Sequence, residues 1–432
     1  MAISAETDAE ARTGAAHDAE TATSWPAEYA RDHVAHLVVV AFLAAYPGLH
    51  HLLVTSPVGA EATAVLPNVQ TMIPVLYFGL FAMSFDFISG YTGYLSFGHA
   101  AFYGTGAYFV VLATNGKVPL VPAGTPFMVS LVLAGVVAAL LALAIGAVSF
   151  RLTGVYFAMI TLGFAQVLYV FISNWDYVGS NPRDGVFVGP MDGFQVGVPG
   201  VDALNVAIGQ LTGDAVSLGG VHLTSTAVSY YAIGAVVLVC YLAMQRIIHS
   251  PFGRVMVAIR ENEERARAVG YDTFRYKMGA FAISAFFAAV AGGLLAGYRR
   301  TVSPEGSFYF LVAGDALLAS IIGGFGTLAG PLYGHLFSES VREFLSKAAS
   351  GGGLLPYLRS HLGEGVMTTE LYDGLTVGQG IETFLNGHAS LYVGALFVLF
   401  VLFVPNGLLG TVRDRLGGPV AKRLPIHLRR YR

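Results

Sequence analysis

The chain has 432 residues, of which 55% are apolar and only 12% charged, with a mean hydropathy of +0.62 and a net charge of −3. Soluble domains carry about 25% charged residues, and half that share cannot cover a water-soluble body of this length, so a polytopic helical membrane protein is expected. The balanced charge gives no pull toward nucleic acid, and the lone cysteine, Cys240, sits in an apolar run and excludes a disulfide framework or a cysteine-bound metal cluster.

Residues 1–33 carry Glu6, Asp8, Glu10, Asp18, Glu20, Glu28 and Asp32 against Arg12 and Arg31. No basic stretch precedes a short apolar one, so this reads as a disordered acidic leader rather than a secretory signal. A transmembrane domain is expected over 34–410. A helix needs about 20 apolar residues to cross a hydrocarbon core of about 30 Å. Candidate spans lie near 34–53, 70–89, 97–114, 127–149, 155–174, 227–246, 276–298, 311–326, 330–347 and 389–405, the pair at 311–326 and 330–347 being weakest.

Lys and Arg set the sidedness of the loops. Arg246, Arg254, Arg260, Arg265, Arg267, Arg275 and Lys277 crowd 246–277, and a second basic cluster fills the tail at 411–432. Both are expected in the cytoplasm. The loops 175–226 and 348–388 hold one basic residue each, Arg183 and Arg359, and are expected outside. Both basic clusters fall inside only if 311–326 and 330–347 are two passes. That gives about ten spans, some broken or short, with both termini in the cytoplasm of a cell with a plasma (inner) membrane. Arg299 and Arg300 then fall outside, against the rule.

Two glycine-dense runs interrupt apolar sequence, 90–108 and 323–335. Backbone breaks are expected at Gly90, Gly93 and Gly98 and at Gly323, Gly324, Gly326 and Gly330. The two runs hint at related halves of a transporter; chance likeness of glycine-rich segments is the alternative. Asp86 lies in an apolar span, where an acid is costly and faces a cavity or a partner. Ser96, His99, Thr161 and Gln166 place further polar groups nearby. A substrate pathway through these five residues is one reading. Close helix packing through small residues is the other.

The longest charged break is 249–277. Ser250-Pro251 can start a helix, 254–268 holds good helix formers, and Gly270 suits the position after a helix end. A short amphipathic helix with Val255, Ala258, Ile259, Ala266 and Val269 on one face, a glycine turn and a second short helix are expected. The segment reads either as a solvated loop or as a docking element. Its even mix of Glu and Arg suits a protein groove more than an anionic lipid surface. No phosphate-binding lysine loop, dinucleotide fingerprint, zinc spacing or Ser/His/Asp set stands out, so no metal, cofactor or catalytic residue is expected.

Several long segments together resemble the LivM type of branched-chain amino acid permease of ATP-binding-cassette (ABC) importers. They are SFDFISGYTGYLSFGHAAFYGTGAY, RLTGVYFAMITLGFAQVLYVFISNWD, the region from Ser250 to Ala296, GGFGTLAGPLYG and VPNGLLG, in that order. The resemblance covers roughly 70–345 and 389–410. It implies an all-α transmembrane bundle, no enzyme, and expected substrates leucine, isoleucine and valine. The implied partners are a LivH-like second permease subunit, two cytoplasmic ABC ATPases and an external substrate-binding protein, all at a lipid bilayer. Importer permeases of this kind carry a Glu-Ala-Ala-x-x-x-Gly element that docks the ATPase. Glu264, Ala266 and Gly270 match it, Arg265 departs from it, and Arg260, in the same 254–268 stretch, is counted with them as a coupling residue. A urea or short-amide permease of the same superfamily is the alternative on substrate. An ion-coupled secondary transporter using Asp86 or Asp315 is the alternative of another class.

Overall fold

The computed structural model describes residues 34–54, 66–119, 121–122, 125–189, 195–198, 201–207, 216–218, 221–346, 354–372, 375–385, 389–404, 407–408 and 411. The acidic leader and nearly all of the basic tail lie outside these residues. The first helix, α1 (Val34–Val54), belongs to a unit of its own, residues 1–58; everything that follows concerns the second unit, residues 59–432.

Helices stand at every expected place. They are α2 (Val69–Thr92), a 3-10 turn at Phe97–His99 leading into α3 (Ala100–Thr114), α4 (Phe127–Ser149) and α5 (Val155–Ser173). Next come α6 (Ser225–Ile248), the surface helices α7 (Pro251–Glu261) and α8 (Glu263–Ala268), and the long α9 (Thr273–Arg299). After these come the short α10 (Pro304–Ser307), α11 (Phe310–Gly323) and α12 (Gly330–Ser346). The chain then forms α13 (Leu354–Met367), α14 (Val377–Leu385) and α15 (Ala389–Phe403). Among the described residues six helices are long and apolar enough to cross a membrane: α2, α4, α5, α6, α9 and the run Pro304–Gly323.

The bundle is built around α9, which packs on α2, α3 and α4, while α11 and α12 form a hairpin against α2. Small residues let these backbones touch. A Cβ added at Gly106 would lie 1.9 Å from the Ala289 carbonyl oxygen, and one at Gly292 would lie 1.9 Å from that of Tyr103. In a membrane, where apolar burial cannot discriminate helix from lipid, such close packing is what binds helices together. The outer faces of α4 and α5 leave Val132, Leu140, Val155, Met159 and Val167 exposed.

The loop 175–226 folds in part as strands, a departure from a purely helical chain. Strand β1 (Val186–Phe187) pairs antiparallel with β6 (Thr301–Val302). The hairpins β2 (Gln195–Val198) with β3 (Val201–Ala207) and β4 (Val216–Leu218) with β5 (Val221–Leu223) follow β1 in the same loop. The loop 348–388 likewise holds α13, α14 and the hairpin β7 (Glu370–Tyr372) with β8 (Leu375–Thr376). Lys117 Nζ donates to the Tyr177 carbonyl at 2.7 Å and Val188 N–H to that of Arg300 at 2.9 Å, so the ends at 114–118, 174–188 and 299–306 gather on one side. The ends at 90–96, 249–272 and 324–330 gather on the other.

The helix expected over 254–268 is two helices. Asn262, with φ −164°, ends α7, and its side chain accepts from Arg265 N–H at 2.8 Å to cap α8. A short amide that satisfies a free backbone donor competes with helix continuation. No second short helix follows Gly270. Asp272 caps α9 directly, so the long span itself begins there. Ala258 and Val269 face solvent, and Met256 takes their place in the buried face with Val255, Ile259 and Ala266.

Candidate functional site

At the end that carries β1 and β6, residues of helices α2, α3, α9, α10, α11, α12 and α15 line a cavity of about 840 Å³. Its walls are not apolar throughout. Arg299 from the end of α9, Asp315 from α11, and His335, Ser338, Glu339 and Arg342 from α12 all face it, beside Tyr77, Phe78, Leu318, Ile322 and Phe397. The α12 residues recur at i, i+3, i+4 and i+7, which lines them along one helix face. Arg342 Nη1 lies 2.7 Å from Glu339 Oε1. The Arg299 guanidinium lies against the Tyr77 hydroxyl. That an arginine ends α9 on the side expected outside thus has a structural counterpart: it lines a polar chamber.

The opposite end carries α7 and α8, and a network of ionic bonds fastens them to the bundle. Lys277 Nζ, on the first turns of α9, donates to Glu263 Oε1 at 2.7 Å and to the Tyr94 hydroxyl at 3.0 Å. Tyr94 donates to Glu263 Oε2 at 2.6 Å, and Thr273 Oγ1 donates to Oε1 at 3.0 Å. Lys277 also sits 4.7 Å from the centre of the Tyr94 ring. Burial pushes the Glu263 carboxyl up, but the bonds from Lys277, Tyr94 and Thr273 outweigh it and hold Glu263 below its ordinary value. Burial and the neighbouring Glu263 together push the Tyr94 phenol up, so it remains a donor.

Arg260, on α7, donates from Nη1 to the Gly90 carbonyl at 2.6 Å and runs beside Gly93 and Gly326. Ala266 is buried, whereas Glu264 and Gly270 stand in solvent. Gly270 has φ +96°, a conformation that favours glycine. Around it Val269, Tyr271 and Phe274 are exposed, by 73%, 43% and 43% respectively. Beneath this knob, therefore, lies a clasp; on it lies an apolar surface flanked by exposed arginines and glutamates.

The five residues expected along a pathway lie elsewhere than the cavity wall. Asp86 is buried on α2, and both its oxygens accept from Gly326 N–H, at 3.0 and 3.1 Å. It fixes the turn between α11 and α12. His99 is enclosed by Phe81, Phe85 and Phe102, with Nε2 3.1 Å from Ser84 Oγ. Ser96 is buried, and Thr161 returns its hydroxyl to the Ala158 carbonyl. Gln166 is half-buried on α5.

The glycines divide into two kinds. Gly93 (φ +79°), Gly324 (φ +125°) and Gly326 (φ +78°) turn the chain. Gly90, inside α2, Gly98, in the 3-10 turn, and the pair Gly323 and Gly330, at facing helix ends, serve close contact: a Cβ on Gly98 would meet the Thr161 carbonyl at 2.4 Å. Gly407 packs on Gly324. Glu263 and Tyr94 were not singled out in the sequence, and Lys277 was counted only among the basic residues of 246–277. The α12 charges were readable as a helical stripe.

The family model described as "Branched-chain amino acid transport system / permease component" matches residues 68–351. The permease protein LivM of Salmonella typhimurium, named for high-affinity branched-chain amino acid transport, is 27% identical over 80% of this chain and 70% of its own. LivM of Escherichia coli is 26% identical over 78% of this chain and 68% of its own. The related LivH permease of Salmonella typhimurium is 25% identical over 63% of this chain and 82% of its own. No solved structure matches.

Proposed function

The chain belongs to the family of permease components of branched-chain amino acid transport systems, and from that premise we propose that it forms one half of the pathway of an ATP-driven importer for leucine, isoleucine and valine. A LivH-like permease would supply the other half. Two cytoplasmic ATPases would dock on the two permeases, and an external binding protein would deliver substrate. Hydrolysis takes place on the ATPases, and this chain contributes no catalytic group.

One observation carries this reading: a chamber at one end of the bundle and, at the other, a clasped surface knob tied to the same helix, α9. Lys277 near the start of α9 anchors the knob, and Arg299 at its end faces the chamber. Motion imposed on α8 therefore reaches the chamber through one continuous helix. Positive charge at 246–277 supports a cytoplasmic knob, and the chamber would then open outward, toward the binding protein. Glu264, Val269, Gly270 and Tyr271 form the contact surface, and Arg260 and Ala266 hold it to the bundle.

An ion-coupled transporter remains the second reading because Asp315 faces the chamber. Asp86, the other acid named for it, is engaged with Gly326 instead. The docking test is direct. The ATPase should co-purify with the wild-type permease pair and be lost from Glu264→Lys and Gly270→Val variants that still assemble with the second permease. Undiminished capture by both variants sinks the docking assignment.

A further inference from the structure

We propose that the chamber itself recognises the zwitterion of an α-amino acid, Arg299 receiving the carboxylate, Asp315 with Glu339 the ammonium, and Leu318, Ile322 and Phe397 the aliphatic side chain. This rests on the reading of the chain as an importer permease and adds selection by the permease to selection by the binding protein. Were selection left wholly to the binding protein, an apolar chamber would suffice; the one present carries charge.

Charges inside an apolar bundle are costly and persist where they serve a pathway or a partner. Arg342 and Glu339 already pair at 2.7 Å. Among the described residues, none of Arg299, Asp315 and Asp184 makes a direct ion pair; the Arg299 guanidinium lies against the Tyr77 hydroxyl with Glu339 acting on it at longer range, and Arg342 acts likewise on Asp315. All three are exposed and line the same chamber, one base and two acids without a contacting counter-ion. A ligand bearing both opposite charges can engage both signs at once.

The guanidinium fork matches a carboxylate, and a carboxylate pair suits the three donors of an ammonium. A neutral amide such as urea engages neither sign of charge in this way; a simple cation or anion engages one. The apolar wall opposite accommodates a branched aliphatic group. The chamber volume of about 840 Å³ lies within the range of small-molecule sites.

The test uses the assembled permease pair with its ATPases in detergent, without the binding protein, and measures binding of radiolabelled leucine. Leucinamide (no carboxylate), 4-methylpentanoate (no ammonium) and urea serve as competitors. Each lost charge-assisted bond should weaken competition roughly 10- to 100-fold. Arg299→Gln should weaken leucine by that factor while leaving leucinamide unchanged, and Asp315→Asn should weaken leucine while leaving 4-methylpentanoate unchanged. Arg299→Lys and Asp315→Glu, which keep the charges, should recover part of the loss and guard against misfolding. Leucine binding unchanged in both neutral variants, equal competition by urea, or no leucine binding at all overturns the proposal. ATP-driven uptake by the wild-type assembly separates the two failures: uptake without chamber selectivity removes only this inference, and absent uptake removes the importer reading.

Discussion

Lys277 and Glu263 show how single residues tie a surface helix to the membrane bundle. Their side chains are 4% and 20% exposed, and removing one partner strands the other charge. Fully buried pairs lose about 3–5 kcal/mol when broken in this way; the partial exposure of Glu263 brings the expected loss for Lys277→Met to roughly 2 kcal/mol. The double variant Lys277→Met/Glu263→Gln should be less destabilised than the sum of the two singles, read as melting temperature of the purified permease. The pH dependence has a definite sign. A carboxyl held below its unfolded value stabilises above that value, about 4.3, and the stabilisation is lost as pH falls through the folded value. The wild type should therefore hold its melting temperature from neutral pH to about 5 and lose it below about 4, more steeply than Glu263→Gln. A flat difference between the two proteins over that range contradicts the clasp.

Residue roles were legible in type more than in partner. Asp86 announced itself as an acid among apolar neighbours. Its partner, the Gly326 amide, lies 240 positions away, and no local pattern encodes that contact. Gly270 was legible because a glycine after a helix end needs only local chemistry. Glu263 and Glu264 are adjacent and chemically alike; only the fold decides that one turns inward to Lys277 while the other faces solvent.

At the scale of elements, α3 and α9 are held together by missing side chains. Gly106 faces the Ala289 backbone and Gly292 the Tyr103 backbone, so the axes approach as closely as backbones allow. Overpacking by a few carbons costs about 1–3 kcal/mol where side chains can move; here the obstacle is backbone, and the helices must separate. Gly292→Val should lower the yield of monodisperse protein extracted from membranes several-fold, measured by size-exclusion chromatography. Gly163→Ala, at a glycine with open space beside it, should leave the yield unchanged. Equal yields from Gly292→Val and wild type would falsify this packing account. Helix positions followed from apolar run length, and the turns from glycine. The break at Asn262 was missed because capping competes with helix continuation within a favourable composition, and the strands of the 175–226 loop because their short runs alternate with glycine. The cavity was missed because it is formed by helices far apart in the chain that no local pattern brings together.

For the molecule as a whole, the two ends of the bundle carry different chemistry. One gathers basic and acidic surface groups on α7 and α8 above a buried clasp; the other opens a charged chamber beneath the strands β1 and β6. Helix α9 connects them. Such an arrangement suits a permease whose motion is imposed at one face and whose cargo enters at the other. Arg299, an exception to the charge rule for outer loops, fits because it serves the chamber. The measurement that tests this account most directly is uptake of radiolabelled leucine into proteoliposomes holding this chain, its partner permease and the ATPases, with binding protein outside and ATP enclosed or withheld. The account predicts leucine accumulation that requires enclosed ATP, persists without a proton or sodium gradient and falls to background in Gly270→Val. Accumulation that follows an ion gradient and ignores ATP would contradict it.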